Sequence, residues 1–206
     1  VKGRPLVCPQ SYPLRRRRCS RIMSWQYGQA DAAFATELRR RLSRGASVVW
    51  CGDPGSAGAL EGCSRDHSFH PPARPDCVAF PCHTADVAVC VALCRARRVP
   101  VVARGAGTGI EGGAIPTHGG LVVDLMRLKK VEVNAEERLA TVGAGVLKLE
   151  LAKELAPRGL LFGPDPSSNP SLGGMASTGG SGMSTMMYGT TKENVRALTV
   201  VTAEGE

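Results

Sequence analysis

The sequence predicts a fold of mixed helices and strands, built around a strand–glycine loop–strand unit and not around a Rossmann βαβ unit. Hydrophobic content of 43% and charged content of 21% are those of a chain that packs a core. From residue 75 onward, segments of helical and of strand periodicity follow one another. The densest glycine run, Arg104–Gly113, leaves one strand pattern and enters another with no helix between.

The elements fall in order. Residues 1–22 carry Lys2, Arg4, Arg15, Arg16, Arg17, Arg18 and Arg21 and no acidic residue. Such a segment suits mitochondrial-type targeting, although Arg15–Arg18 form a block. An untranslated or artefactual extension, with Met23 as an internal initiator, is the other reading. Those seven positive charges account for all but one of the net +8, so the body is near neutral and shows no basic face for nucleic acid. No apolar run reaches the length of a bilayer-spanning helix.

Residues 23–74 read as a helix and loops, and 75–206 as the main domain. Ala30–Arg44 is a helix, with Leu38 and Leu42 four apart and a basic last turn. Residues 45–76 are expected to be loop, on their Gly, Pro, Ser and Asp content. Val78–Phe80 is a strand. Thr84 is the expected N-cap of a helix whose face carries Val87, Cys90, Val91 and Cys94, closed by Arg95, Arg97 and Arg98. Val99–Ala103 and Leu121–Leu125 are strands, and Val131–Val133 and Leu139–Val142 a hairpin-like pair joined by Asn134–Arg138. A helix over Val146–Pro157 presents Leu147, Leu151 and Leu155 and stops at Gly159. A long loop, Gly163–Thr191, precedes a strand at Val195–Thr202 and a turn at Glu204–Gly205, where a return strand is expected to start.

The eight cysteines end at Cys94, form no CxxC and have no structural zinc spacing, so no metal site is expected. Cys90 and Cys94 read as small buried apolar side chains.

Five of the ten residues in Arg104–Gly113 are glycine. Their backbone is free to approach a ligand closely, and successive N–H groups can converge on phosphate oxygens, with the Thr108 hydroxyl beside them. A dinucleotide fingerprint also needs a helix directly after the glycines. Ala114–Gly120 (Ala-Ile-Pro-Thr-His-Gly-Gly) cannot start one, and no GxxxxGK[ST] spacing occurs. The cradle would therefore be backbone amides on a strand–loop–strand unit, against the alternative of a glycine-rich hairpin connection without a ligand. A second run of small residues, Leu172–Gly182, lies between Pro164-Asp165-Pro166 and Tyr188-Gly189. Two such loops beside strands can enclose an extended ligand.

Several motifs in order carry a family resemblance: Pro75-Asp76, Phe80-Pro81, Val99–Gly113, Gly143-Ala144-Gly145, Asp165-Pro166, Gly173–Ala176 and Tyr188-Gly189-Thr190. The chain resembles the FAD-binding domain of the vanillyl-alcohol-oxidase/PCMH flavoprotein superfamily. Within it, the likeness is to the branch of mitochondrial D-lactate dehydrogenases (cytochrome) and glycolate oxidase D-subunits. It covers residues 63–206, from an entry motif near Arg65-Asp66-His67-Ser68.

The resemblance implies an α+β fold, the N-terminal portion of a PCMH-type FAD-binding domain, and not a Rossmann fold. It places FAD on Arg104, Gly105, Ala106, Gly107, Thr108, Gly109, Gly112 and Gly113. Asp165, Pro166, Gly173, Gly174, Met175, Ser177, Gly179, Ser181, Gly182, Tyr188 and Gly189 would lie along it. Relatives that attach FAD covalently have a histidine at the place of Thr108, so FAD here is expected to be non-covalent. The sequence departs from the branch at Gly180 (often Ala), Met187 (usually Arg), Lys192 and Glu193. The family's final FAD segment, its substrate cap, catalytic histidines, metal ligands and substrate-binding arginine would lie beyond Glu206, so no residue is assigned to catalysis.

Three functions follow as expectations. The first is an oxidoreductase taking hydride from a D-2-hydroxy acid such as D-lactate, glycolate or D-2-hydroxyglutarate to flavin N5, with cytochrome c or another electron acceptor. The second is an FAD-binding module without its own activity. The third, a basic-tail nucleic-acid binder, is disfavoured by the near-neutral body.

Overall fold

The computed structural model describes residues 27–206. The basic segment 1–22 and Met23 lie outside the described residues.

The first core forms around a four-stranded sheet. Its strands are β1 (Ser47–Trp50), β2 (Cys77–Phe80), β3 (Val101–Arg104) and β4 (Leu121–Asp124), ordered β1-β2-β4-β3. β1 runs antiparallel to β2, whereas β2, β4 and β3 are mutually parallel, so the sheet is mixed. The two-residue period divides the strands between two faces. Cys77, Ala79, Leu121 and Val123 face α1 (Ala32–Arg41) and α3 (Thr84–Arg97), where they meet Phe34, Leu38, Cys90, Leu93 and Cys94. Val78 and Val122 face the other way, onto Leu60 and Cys63 at α2 (Ala57–Gly62).

A second core lies over the hairpin of β5 (Val131–Asn134) and β6 (Leu139–Val142), whose register is Val131 to Val142 and Asn134 to Leu139. Here Val146, Leu151, Leu155, Leu172 and Met175 pack, drawn from α4 (Lys148–Leu155), α5 (Leu172–Thr178) and the segment before α4. A 3-10 turn at Ala156–Arg158 and a left-handed Gly159 end α4 where the sequence places its stop. Two short helices follow, α6 (Thr185–Tyr188) and α7 (Thr191–Asn194).

Four sequence-based expectations are corrected. Residues 45–76 hold β1 and α2: Val48 and Val49 take β2 as partner, and Leu60 is pinned under the sheet. Thr84 is the first residue of α3, and His83 is its N-cap. The amides leading into that helix are answered by Asp86, whose buried carboxylate accepts from the backbone N–H groups of Cys82 and His83 and from both N–H and hydroxyl of Ser43. That acid thus ties the end of α1 to the start of α3. The loop Gly163–Thr191 contains α5 and α6. Glycine disfavours α5, but capping by Ser171 and burial of Met175 hold it in place. Finally, Val195–Thr202 joins no sheet among the described residues, and Leu198 and Val200 are exposed. β-Branched residues make a strand only where a partner lies alongside.

The cysteine reading holds. Cys77, Cys90 and Cys94 are free and buried, and desolvation pushes each thiol up to about 12.

Candidate functional site

β3 and β4 pair in parallel, Val101 opposite Leu121 and Arg104 opposite Asp124. The connection 105–120 must therefore travel back along the whole strand before β4 begins, which excludes the hairpin alternative. It does so without a helix and crosses the carboxyl end of β3 as an open loop. Among the described residues, the backbone amides of Ala106–Gly113 donate to no acceptor. A run of amides left over by the fold is the property an anion-binding loop needs.

Gly105 sits against Ser171. A Cβ on Gly105 would overlap the Ser171 hydroxyl and lie 3.2 Å from its Cβ. Ser171 is only 2% exposed and caps α5 by accepting from the Gly174 amide. Gly107 has φ of +69°, and the Arg104 guanidinium lies against its open side. Arg104 also donates to the Arg65 carbonyl at 2.8 Å. Its charge bears on two carboxylates. Burial pushes the Asp124 carboxyl up against the opposing pull of the Met126 amide, Arg104 and Arg127. At Asp66 burial also acts upward, but the hydrogen bonds from Ser68, the dipole of the nearby Ala114 amide and the charge of Arg104 outweigh it and leave the pKa lowered.

The second run of small residues starts at the same point and leads away from it. Gly173 packs on Ala144 within Gly143-Ala144-Gly145, and its amide donates to the Ala144 carbonyl at 3.0 Å. After the seven residues of α5, roughly 10 Å along the axis, Gly179 closes the helix in the left-handed conformation. The chain then returns so that a Cβ on Gly182 would overlap the Asp165 carbonyl and approach the Pro166 nitrogen to 2.6 Å. Asp165 and Pro166 are themselves held by Lys148, which donates 2.7 Å bonds to the Asp165 carboxylate and the Pro166 carbonyl. Gly163 lies under Tyr188, and Gly189 lies against the side chain of Glu193, which forms the α7 capping box with Thr190. A groove at this end is lined by Lys148, Leu149, Phe162, Pro164, Asp165 and Tyr188.

The fold thus forms two clusters joined by α5. Arg104–Gly113 meets Ser171 at one end, and Asp165, Pro166, Gly182, Tyr188 and Gly189 gather at the other. A ligand touching both must be extended. One member of the sequence-based set turns inward, Met175, which is 1% exposed in the second core, while the exposed Ser177 donates its hydroxyl to the Gly173 carbonyl. Thr108 is half-buried in its loop, and Ser181 is exposed. Sequence reasoning passed over Ser171 and Lys148. A serine directly before Leu-Gly-Gly is a helix-cap signal for the first, whereas the reach of Lys148 to Asp165 is visible only in three dimensions.

A family profile described as "FAD binding domain" matches residues 75–206. Among curated proteins, the chain is 39% identical over 178 residues to the probable mitochondrial D-lactate dehydrogenase of Danio rerio, covering 84% of this chain and 35% of that protein. It is 35% identical over 157 residues to the glycolate oxidase subunit GlcD of Bacillus subtilis, covering 75% and 33%. With the mitochondrial D-lactate dehydrogenase (cytochrome) of Arabidopsis thaliana it shares 36% over 142 residues, covering 68% and 25%. The chain therefore spans about a third or less of the length of these relatives. Among solved structures it resembles 6-hydroxy-D-nicotine oxidase from Arthrobacter nicotinovorans, with TM-score 0.67 and 27% identity over 80% of this chain and 35% of that one. Bermuda grass isoallergen BG60, with TM-score 0.73 and 23% identity over 83% and 36%, shares the fold.

Proposed function

The chain belongs to the FAD-binding-domain family, and we propose that its 104–113 loop holds the pyrophosphate of a non-covalently bound FAD. The observation that carries this reading is the parallel β3–loop–β4 connection, whose amides are left without acceptors and whose Gly105 is pressed to Ser171. The loop suits a phosphate ligand because peptide N–H groups answer the charge while glycines keep side chains out of the way. α5 then leads toward Asp165, Gly182 and Tyr188, along which the rest of an extended dinucleotide would lie. Thr108, a hydroxyl that cannot form a flavin–imidazole bond, supports non-covalent attachment.

Bound FAD would supply two-electron redox chemistry, and the chain's own residues would fix where it sits. The full protein is proposed to oxidise a D-2-hydroxy acid, D-lactate or glycolate, on the names of the relatives. Cytochrome as electron acceptor and residence in mitochondria are likewise proposed, from the Arabidopsis and Danio relatives. The short coverage of those relatives favours a second reading for the chain by itself, an FAD-binding module without turnover.

The test is an absorption and fluorescence titration of the purified chain with FAD, followed by acid precipitation. Saturable binding with all flavin recovered in the supernatant is expected. No binding would overturn the FAD reading, and flavin retained in the pellet would overturn the role given to Thr108. D-Lactate-dependent bleaching of the bound flavin would separate the enzyme from the module.

A further inference from the structure

Among the described residues, one buried side-chain oxygen has no hydrogen-bond partner: Asp66 Oδ2, on a residue 9% exposed. The other oxygen, Oδ1, accepts from the Ser68 amide at 2.9 Å. Asp66 lies beneath the far limb of the glycine loop. Its Oδ2 is 3.8 Å from the point a Gly109 Cβ would occupy, and the next residue, His67, donates its amide to the Gly109 carbonyl at 2.9 Å. The Ala114 amide approaches the same carboxylate without completing a hydrogen bond. The carboxyl pKa is lowered, so the group is charged at neutral pH. A buried, charged oxygen with no donor is costly, and its persistence calls for a physical reason.

We infer that Asp66 is a positioning residue for the dinucleotide: Oδ2 takes a backbone N–H from the Gly109–Ala114 limb as the loop closes on the pyrophosphate. This rests on the FAD reading above. Both limbs of the loop carry amides without acceptors. Phosphate oxygens engage the near limb at Ala106–Thr108, and the far limb then settles onto Asp66 from above. The contact incomplete in the free chain is completed in the loaded one, so its free energy appears as cofactor affinity and not as stability of the free fold. Arg104, which bears on Asp66 and covers Gly107, offsets repulsion between the carboxylate and the phosphates.

The experiment compares the 206-residue chain with Asp66→Asn, which keeps the shape and the Oδ1 acceptor but places an NH2 at Oδ2. FAD affinity is read by fluorescence titration, and the melting temperature is read without FAD. The variant is expected to bind FAD roughly 10- to 100-fold more weakly, the worth of a hydrogen bond to a charged group, with the free-chain melt unchanged or raised. Equal or tighter FAD binding would overturn the inference, the latter by showing that the carboxylate repels the phosphates. A lowered melt or an unfolded variant would also overturn it, by making Asp66 part of the fold itself. Wild-type chain that binds no FAD would instead remove the reading on which the inference rests.

Discussion

The Ser171 hydroxyl fills the volume into which any side chain on Gly105 would project. This single contact joins the loop after β3 to the helix that leads toward Asp165, and so couples the two halves of the proposed cofactor path. Gly105→Ala forces the Ser171 side chain out of a buried site and disrupts its capping bond to Gly174. A loss of about 1–3 kcal/mol is expected. Glycine at an N-cap costs only a few tenths of a kcal/mol, so adding Ser171→Gly to Gly105→Ala should recover most of the loss. Denaturant midpoints of the two single variants and the double variant check this, and additive losses would contradict the contact.

Gly182 and Gly113 offer a contrast within the candidate site. A Cβ on Gly182 meets the backbone of Asp165 and Pro166, which cannot rotate away, whereas one on Gly113 meets nothing within 4 Å. Gly182→Ala should lower the melting temperature by several degrees, while Gly113→Ala should leave stability within about 0.5 kcal/mol. Equal melts for both variants would rule out the apposition of the 164–166 and 180–182 segments.

Acid sensitivity should report on Asp86. Desolvation acts to raise its pKa, but bonds from the Ser43 amide and hydroxyl and the Cys82 and His83 amides prevail and lower it. A depressed folded-state pKa contributes stability that is present above the unfolded value, about 3.9, and lost as pH falls through the folded one. Asp86→Asn should therefore be less stable at pH 7, by about 1–3 kcal/mol. It should also lose less further stability below about pH 4. Urea titrations from pH 7 to pH 3 test both parts; parallel curves for wild type and variant would refute the second.

Thiol labelling should follow burial. Cys77, Cys90 and Cys94 are enclosed and protonated, their thiols pushed up to about 12, while Cys51 is exposed. Native chain treated with iodoacetamide near pH 8 should be modified at Cys51 and spared at the three core positions, with all three reacting in guanidinium. Peptide mass mapping identifies the sites. Rapid native labelling at Cys90 or Cys94 would contradict the packing of α3 on the sheet.

What the sequence by itself determined was local and periodic. The apolar face of α3, the strand at Val78–Phe80, the hairpin around Asn134–Arg138 and the Gly159 stop are all set by neighbours a few residues away. The strand–loop–strand character of Arg104–Gly113 was equally legible, because Ala114–Gly120 cannot begin a helix. Tertiary structure decided the rest. Val48-Val49-Trp50 becomes a strand through β2, while Val195–Thr202, also rich in β-branched residues, stays unpaired among the described residues. α5 forms in a glycine-rich stretch because Ser171 caps it and Met175 is buried. The meetings of Gly105 with Ser171, Lys148 with Asp165, and Asp66 with the underside of the loop join residues far apart in the chain. Spacing cannot encode such contacts, since they exist only once the parallel pairing of β3 and β4 has carried the loop back across the sheet.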